Sequence, residues 1–389
     1  MLKLLKNARV FAPEDQGCLD VLLAGEIIAH MAPEISLPPE LPVETIDLAG
    51  SLIVPGFIDQ HVHLIGGGGE AGFSTRTPEV TLSNITRWGI TTVVGCLGTD
   101  GITRHMTSLL AKARGLEAEG ITTYIYSGSY EIPTPTITGS IRSDIVIIDK
   151  VVGAGEIAVS DHRSAQPTVQ QLKALAAEAR VGGMLSAKAG VLHLHLGDGE
   201  AGLNPLFEIV NTTEIPVSQL RPTHLNRNSM LFRQALEWGK LGGFIDLTSG
   251  VSPAAGVQKA VKPSVAIKEA LTAGIPIEQI TMSSDGNGSM PVFDEQGNMQ
   301  ALMVASLESL YLEFKDAVLT EGLPLTTALK VITSNPAQAL NLYPHKGSVQ
   351  KGSAADLVVL DQDLQIRQVW ARGKLVVENG NYLVKGTFE

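Results

Sequence analysis

Cysteine is scarce in this 389-residue chain, which contains only Cys18 and Cys96. Two cysteines cannot build a disulfide framework, and no spacing marks either one as a metal ligand. We expect both to be plain buried thiols in a reducing compartment. The apolar stretch at the N-terminus is too short for a secretory signal peptide, so the cytoplasm is the expected location.

Several other signals are absent. No cluster of Lys and Arg occurs and the formal net charge is −11, so nucleic acids and anionic membranes are poor candidates for partners. No apolar run approaches the length of about 18 residues that predicts a membrane span. Neither a G-x-G-x-x-G turn after an early strand nor a Walker loop is present. The composition, 44% hydrophobic and 18% charged, is ordinary for a globular protein. The chain is long enough for one large domain and a small one.

The middle of the chain alternates short apolar runs with amphipathic segments. Eight runs predict strands, at residues 57–64, 91–97, 122–130, 156–160, 191–196, 222–226, 243–248 and 279–283. Helices are predicted at residues 104–119, 169–180, 231–240, 265–273, 301–321 and 325–335. Eight alternating strands predict an α/β fold with a closed (β/α)₈ barrel of the TIM type, and a doubly wound open sheet is the alternative.

Both ends of the chain have β-strand patterns instead. Residues 20–29 predict two short strands around Gly25, and residues 355–360, 366–370 and 374–377 predict three more. Neither end is long enough to bury a core of its own. We therefore expect one small β-sandwich domain made from residues 1–54 and 345–389, with the barrel domain of residues 55–344 inserted between them.

Two histidines end the first predicted strand of the barrel. His61 and His63 are spaced by two residues, so their side chains point to the same face of the strand. Two imidazoles in this arrangement can converge on one cation. A glycine run, residues 66–69, follows them. It could belong to the same site, or it could simply be a flexible lid.

Barrel enzymes build their active sites at the carboxyl ends of the strands. Residues able to ligate metals or act on substrates recur at these predicted ends: Tyr130, His195, His224 and Asp285. The fourth predicted strand opens with Glu156. The other histidines are expected elsewhere. We expect His193 to lie one layer deeper in the barrel and to be structural, His162 to have a weaker claim to function, and His30, His105 and His345 to be solvated.

This set of residues suits a binuclear metal site. The imidazoles of His61, His63, His195 and His224, together with Asp285 and a bridging carboxylate, could hold two divalent ions with a hydroxide between them. Asp285 could then take the proton of that hydroxide as a general base and return it to a leaving nitrogen as a general acid.

Three charged residues suit a zwitterionic substrate. Glu70 is a negative contact for an amine, and Arg163 and Arg227 offer forked contacts to carboxylates. Surface ion pairs are the alternative reading for each of them.

Several segments have the pattern of a known family. Residues 55–63 (PGFIDQHVH) and 351–360 (KGSAADLVVL) are typical of the amidohydrolase superfamily. On these segments the chain resembles that superfamily and, within it, the bacterial isoaspartyl dipeptidase family. The narrower match comprises residues 66–72, 75–79, 97–100, 160–164, 223–228 and 284–289, so the resemblance covers essentially the whole chain.

The resemblance implies a hydrolase that cleaves the β-aspartyl (isoaspartyl) bond of dipeptides with two Zn²⁺ or similar divalent ions. One ion would be held by His61, His63 and Asp285, and the other by His195 and His224. Around the substrate, Tyr130 would polarise the scissile carbonyl and Glu70 would bind the α-amine. The carboxylates would be bound by Arg163, Arg227 and Ser289, and Thr99 would line the pocket. Members of the family are commonly homo-oligomers.

The chain departs from the family pattern at the bridging ligand. The family usually has a carboxylated lysine at the end of the fourth strand, and residues 151–163 contain no lysine. Counting back from Arg163 puts Glu156 in its place, although residues 153–155 carry one extra residue relative to the family pattern. Lys150 is the nearest upstream lysine. A glutamate already has the two oxygens that a lysine must gain from carbon dioxide.

Two other functions stay open. One is a different amidohydrolase activity, on a cyclic amide or an N-acyl amino acid, although Glu70 and the two arginines fit a free amine and carboxylates better. The other is a non-catalytic relative that keeps the barrel as a scaffold, against which the intact ligand set argues.

Overall fold

The computed structural model describes residues 2–293 and 299–389. In these ranges the chain forms the strands β1 (Leu2–Phe11), β2 (Asp15–Ala24), β3 (Ile27–Ala32), β4 (Val43–Asp47), β5 (Leu52–Pro55), β6 (Phe57–Val62), β7 (Ile90–Gly95), β8 (Thr122–Ser127), β9 (Val151–Val159), β10 (Val191–Leu196), β11 (Leu220–Thr223), β12 (Ile245–Thr248), β13 (Ile280–Ser283), β14 (Ser289–Phe293), β15 (Met299–Val304), β16 (Leu357–Leu360), β17 (Ile366–Ala371), β18 (Lys374–Glu378) and β19 (Asn381–Tyr382).

The helices lie between the central strands. They are α1 (Leu82–Thr86), α2 (Met106–Glu119), α3 (Ile141–Ile147), α4 (Val169–Ser186), α5 (Asn204–Thr212), α6 (Ser229–Lys240), α7 (Pro263–Thr272), α8 (Glu308–Leu319), α9 (Leu325–Ile332) and α10 (Ser334–Ala339). The longest, α4, begins with a reciprocal capping box between Thr168 and Gln171. No helix in the described part of the chain is long and apolar enough to cross a membrane.

Both chain ends contribute to one nine-stranded sheet. Its order is β19-β18-β17-β16-β5-β1-β2-β3, with β4 paired to β1. The junction is the antiparallel pairing of β5 with β16, in which Pro55 lies opposite Leu357. A separate cluster of fully buried side chains, including Leu5, Ile53 and Trp370, packs these strands together. Strands from the two ends of the chain therefore lie in one sheet.

The central strands form a curled parallel sheet covered by helices. Six strands pair in the order β11-β10-β9-β8-β7-β6, and β12 pairs in parallel with β13. A parallel bridge between Val62 and Gly286 brings the segment after β13 beside the end of β6. All eight predicted barrel strands are present, and the mixed α/β architecture is confirmed. The carboxyl ends of β6 to β13 consequently face one shared cavity.

Strand β9 differs from its prediction in both length and register. It begins five residues earlier than residue 156. Gly153 lies opposite Val191, whose carbonyl would be 2.6 Å from an added Cβ atom, so this glycine permits close strand approach and does not mark a turn. Between Leu192 and Leu194 on β10, the partner strand β9 advances from Ala154 to Ile157, which is one residue more. The extra residue noticed in the sequence is therefore a β-bulge beside Glu156.

One predicted helix is partly wrong. Residues 301–321 were expected to be helical throughout, but residues 301–304 belong to β15, which pairs with β14 in an antiparallel hairpin. The helix α8 begins only at Glu308. Ala301, Leu302 and Met303 are good helix formers, so the cross-strand pairing overrides their local preference.

Candidate active site

A cavity of about 650 Å³ opens at the carboxyl ends of the central strands. Nine of the twelve residues predicted for the site line it: His63, Glu70, Thr99, Tyr130, Arg163, His195, Arg227, Asp285 and Ser289. The other three, His61, Glu156 and His224, are buried at 0–1% exposure and contact the cavity-lining histidines and Asp285 from below. The structure thus brings all twelve residues into one region.

His61 and His63 face the same two carboxylates. His61 Nε2 lies 3.4 Å from Glu156 Oε2 and 3.4 Å from Asp285 Oδ1. His63 Nε2 lies 3.1 Å from Asp285 Oδ1 and 3.6 Å from Glu156 Oε1. The alternation of β6 therefore points both rings at a common centre. Gly98 permits this, because a Cβ atom there would be 2.9 Å from His63 Cε1.

Glu156 lies between this pair and a second pair of histidines. Its Oε2 atom is 3.3 Å from His195 Nδ1 and 3.8 Å from His224 Nε2. Burial alone would raise the pKa of Glu156, but the surrounding imidazoles, led by His61, hold it well below its ordinary value. Lys150 takes no part in this cluster, because its ammonium pairs with Glu117 and lies 5.7 Å from the centre of the Tyr124 ring.

Outer hydrogen bonds fix the orientation of the second pair. His195 Nε2 donates to Asp161 Oδ2 at 3.0 Å, which leaves Nδ1 facing Glu156 and the Tyr130 hydroxyl at 2.7 Å. His224 Nδ1 lies 2.7 Å from Thr248 Oγ1, so its Nε2 faces Glu156. Burial, followed by the nearby His195, lowers the pKa of His224 to about 3.

Two of these side chains sit on strained backbone. His224 directly follows β11 and has a φ angle of 62°, and Asp285 lies two residues after β13 and has a φ angle of 54°. Left-handed φ values are costly for residues with a Cβ atom and cluster at functional sites. Asp59 supports this turn, since its Oδ1 accepts a hydrogen bond from the backbone N–H of Ser284 at 3.1 Å. Burial raises the pKa of Asp59 to about 6.

The chemistry of the donor atoms fits a metal ion. Among the described residues, His61 Nε2, His224 Nε2 and both carboxylate oxygens of Glu156 are buried without a hydrogen-bond partner. Unpaired buried polar atoms are costly unless a ligand satisfies them. Two sets of donor atoms, each lying within 4.8 Å of one another, share Glu156: one contains His61, His63 and Cys96, and the other His195 and His224. Imidazole and carboxylate donors at this spacing suit divalent transition metals.

Charged side chains surround the mouth of the cavity. Glu70 Oε1 accepts from Thr99 Oγ1 at 3.0 Å and lies 3.3 Å from Arg163 Nη1. Arg163 also donates two hydrogen bonds to Asp161, from Nε at 3.0 Å and from Nη2 at 2.8 Å. Arg227 is less engaged, since its Nη1 is 3.9 Å from Asp198 Oδ2.

The glycine run is anchored by a buried arginine. Arg104 donates to the carbonyl oxygens of Gly67 at 2.8 Å and Thr77 at 3.2 Å, and it also contacts that of Ile65. Gly67 N–H donates to Thr77 Oγ1 at 2.8 Å. These bonds fix the segment that carries Glu70, and sequence reasoning did not identify Arg104.

Sequence reasoning also missed the partners of the histidines. Asp161 was noticed only as part of a motif, although its position two residues after the end of β9 could have marked it. His193 was expected to be structural and deep; it is buried, stacks on Tyr126 with ring centres 4.6 Å apart, and its Nε2 lies 2.9 Å from His61 Nδ1. The remaining histidines, His30, His105, His162 and His345, are exposed.

The expectations for the two cysteines need correction. Cys18 is exposed, because it lies on the solvent side of β2. Cys96 is buried as expected, but it is not a plain core thiol, since its Sγ atom lies 3.9 Å from His63 Nδ1. Its position follows β7, directly beside the end of β6, and pairing between separate strands cannot be read from cysteine spacing.

Comparison with solved structures finds similar proteins over nearly the whole chain. A crystal structure of a β-aspartyl dipeptidase from Fervidobacterium islandicum AW-1, in complex with a β-Asp-Leu dipeptide, has a TM-score of 0.90 at 46% identity. A second crystal structure of a β-aspartyl dipeptidase from F. islandicum AW-1 has a TM-score of 0.89 at 45% identity. Each comparison covers 98% of this chain and 98% of the other chain.

Sequence comparison with curated proteins finds shorter matches. Adenine deaminase 2 from Jannaschia sp. (strain CCS1) is 45% identical over 67 residues, which is 17% of this chain and 11% of that protein. The matched segment is thus only about a tenth of that relative's length. The family model described as "Amidohydrolase family" matches residues 52–376. The match spans most of the chain, including every predicted metal ligand, and the protein belongs to the amidohydrolase family.

Proposed function

We propose that this protein hydrolyses the β-aspartyl (isoaspartyl) peptide bond of dipeptides at a site that holds two Zn²⁺ or similar divalent ions. The observation that carries the proposal is that one cavity contains both a cluster of possible metal ligands and a set of charged side chains suited to the substrate. A buried cluster of four histidines and two carboxylates lies under a rim that includes Glu70, Arg163 and Arg227. The similar F. islandicum protein, crystallised with β-Asp-Leu, supports the same substrate class.

The rim fits the charges of a β-aspartyl dipeptide. Such a substrate carries one free α-amine and two carboxylates. Glu70 provides a negative charge for the amine, and a hydrogen bond from Thr99 holds the carboxylate of Glu70 in place. Arg163, Arg227 and Ser289 provide donors for the carboxylates. An α-linked dipeptide carries the same charges at different spacings, so a rigid rim can distinguish the two isomers.

The ligand assignment follows from the contacts around Glu156. We assign His61, His63 and Asp285 to one ion, His195 and His224 to the other, and Glu156 to both. When bound, the two ions supply Lewis acidity and make water a usable nucleophile at neutral pH.

Two side chains act on the reacting atoms. Asp285 takes a proton from the attacking water and returns it to the leaving nitrogen. Tyr130 keeps its proton, because burial and then the nearby Glu156 raise its pKa well above the ordinary value. Its hydroxyl therefore donates a hydrogen bond to the scissile carbonyl oxygen as negative charge develops there.

The wider architecture is part of the proposal. We infer that β6 to β13 close into a (β/α)₈ barrel, since the bridge from Val62 to Gly286 brings the segment after β13 beside the end of β6. The barrel domain would span residues 55–344, and a β-sandwich domain would combine residues 1–54 and 345–389. We also propose that the protein is a homo-oligomer in the cytoplasm.

The deciding experiment is a substrate comparison with the zinc-loaded protein. We expect hydrolysis of β-Asp-Leu and little or none of α-Asp-Leu. N-acyl amino acids and cyclic amides, the substrates of the alternative amidohydrolase activity, should be poor. Equal rates on both aspartyl isomers, or no hydrolysis with two metal ions bound, would overturn the proposal.

A further inference from the structure

Cys96 lies at the base of the metal site and has no role in the proposed chemistry. It directly follows β7, and its backbone N–H donates to the carbonyl of Val62 at 3.1 Å. This bond sets Cys96 beside the segment between His61 and His63. The side chain is fully buried, and its Sγ lies 3.9 Å from His63 Nδ1.

The thiol sulfur belongs to one compact group of donor atoms. The donor atoms of Cys96, His61, His63 and Glu156 all lie within 4.8 Å of one another. Neighbouring donors of one zinc ion are separated by about 3 to 3.5 Å, since Zn–N and Zn–S bonds are about 2.1 and 2.3 Å. Small side-chain movements would therefore allow all four to reach one ion.

Unpartnered atoms point to a ligand at the same place. Among the described residues, His61 Nε2 and both oxygens of Glu156 are buried without a hydrogen-bond partner. Charge balance gives a second reason. Two divalent ions carry four positive charges, against which Glu156 and Asp285 supply two negative ones. A thiolate would add a third in a region where uncompensated charge is costly.

We infer that Cys96 is a thiolate ligand of the metal ion held by His61 and His63. The inference rests on the proposed metal site, and it adds a ligand to the set given above. On binding, the thiol releases its proton to solvent. A sulfur ligand favours zinc, cobalt and cadmium over magnesium and manganese, so the site should be selective for the softer metals.

Spectroscopy of the cobalt-loaded protein tests the inference independently of activity. We expect a thiolate-to-cobalt charge-transfer band in the near ultraviolet for the unmodified protein. Cys96→Ser and Cys96→Ala should lose the band. Cys18→Ser is the matched control, since Cys18 is the only other cysteine and is exposed; it should keep the band.

X-ray absorption of the zinc-loaded protein gives a second measure. One sulfur scatterer at about 2.3 Å is expected, and Cys96→Ser should lack it. Loss of a residue that hydrogen-bonds a metal ligand typically weakens metal binding about 10- to 100-fold, so loss of a ligand should weaken binding of one ion by at least about 100-fold. Serine is nearly the same size as cysteine, so Cys96→Ser should fold. Circular dichroism checks this.

Two results would overturn the inference. One is a protein with two cobalt ions and no sulfur band, which would leave Cys96 as a thiol hydrogen-bonded to Val62. The other is a band that persists in Cys96→Ser. Assays of β-Asp-Leu hydrolysis on the same samples separate the two proposals. A sulfur band without hydrolysis overturns only the proposed function, and hydrolysis without the band overturns only the role of Cys96.

Discussion

The Nε2 atom of His193 lies 2.9 Å from the Nδ1 atom of His61. For His61 to offer the lone pair of Nε2 to a metal ion, its Nδ1 must carry the proton and donate it to His193. His193 is held in turn by its stacking on Tyr126 at an interplanar angle of 12°. A residue with no access to the cavity thus fixes the ring orientation and tautomer of a proposed metal ligand.

His193 should therefore act as a positioning residue. We expect His193→Phe, which keeps the aromatic stack but removes the acceptor, to weaken metal binding by about 10- to 100-fold. Metal titration with a competing chelator measures this. His193→Gln, which retains an acceptor, should recover part of the affinity. His30→Phe is the control, because His30 is exposed on β3 and does not line the cavity, and equal losses in both variants would argue against a positioning role.

Glu156 should be needed to hold both ions. Glu156→Gln keeps the shape of the side chain but removes the negative charge between the two histidine pairs. We expect the variant to bind one ion or none, and to lose activity accordingly, because two cations would face each other without the bridging charge. Elemental analysis of the purified protein measures the metal content. Glu208→Gln, an exposed change on α5, should keep two ions, and full occupancy in Glu156→Gln would place the bridge elsewhere.

The same residue predicts independence from bicarbonate. A carboxylated lysine can lose its carboxylate when metal is removed, whereas a glutamate cannot. Metal-free protein should regain full activity with zinc alone, and added bicarbonate should make no difference to either rate or metal content. Strong bicarbonate dependence would contradict the assignment of Glu156. Glu156→Lys would be poorly active, and partial rescue by bicarbonate would indicate room for the longer bridge.

Asp285 should be required for proton transfer. Asp285→Asn should lower kcat by roughly 10²- to 10⁴-fold, because the amide cannot accept the proton of the attacking water. The histidines and Glu156 should still bind metal, which elemental analysis will check. Asp149→Asn is a control, since Asp149 lies outside the cavity and pairs with Arg114. A near-normal kcat for Asp285→Asn would remove Asp285 from the mechanism.

Arg227 should contribute binding energy through a substrate carboxylate. Its guanidinium is largely buried, and its Nε has no hydrogen-bond partner among the described residues, so a bound carboxylate would satisfy it. We expect Arg227→Met to lower kcat/KM by about 10- to 100-fold, mainly by raising KM. Arg233→Met, an exposed change on α6, is the matched control. If kcat/KM falls by the same factor for a dipeptide amide, which lacks the C-terminal carboxylate, then Arg227 binds another group of the substrate.

Much of the site could be predicted because local pattern decides which way a strand residue points. The spacing of His61 and His63 fixes their common face, and polar residues directly after apolar runs mark the carboxyl ends of the strands. These two rules were enough to find His195, His224 and Asp285. The same periodicity identified all eight central strands, although it placed the start of β9 too late.

Only the tertiary structure decided which residues of separate strands meet. The bulge in β9 puts Glu156 between two histidine pairs, and the pairing of β6 with β7 brings Cys96 beside His63. Residues 301–304 form a strand because β14 pairs with them, against their own helical preference. Sequence periodicity reports the face on which a residue lies, whereas contacts across the sheet depend on register and curvature, which are set by long-range packing.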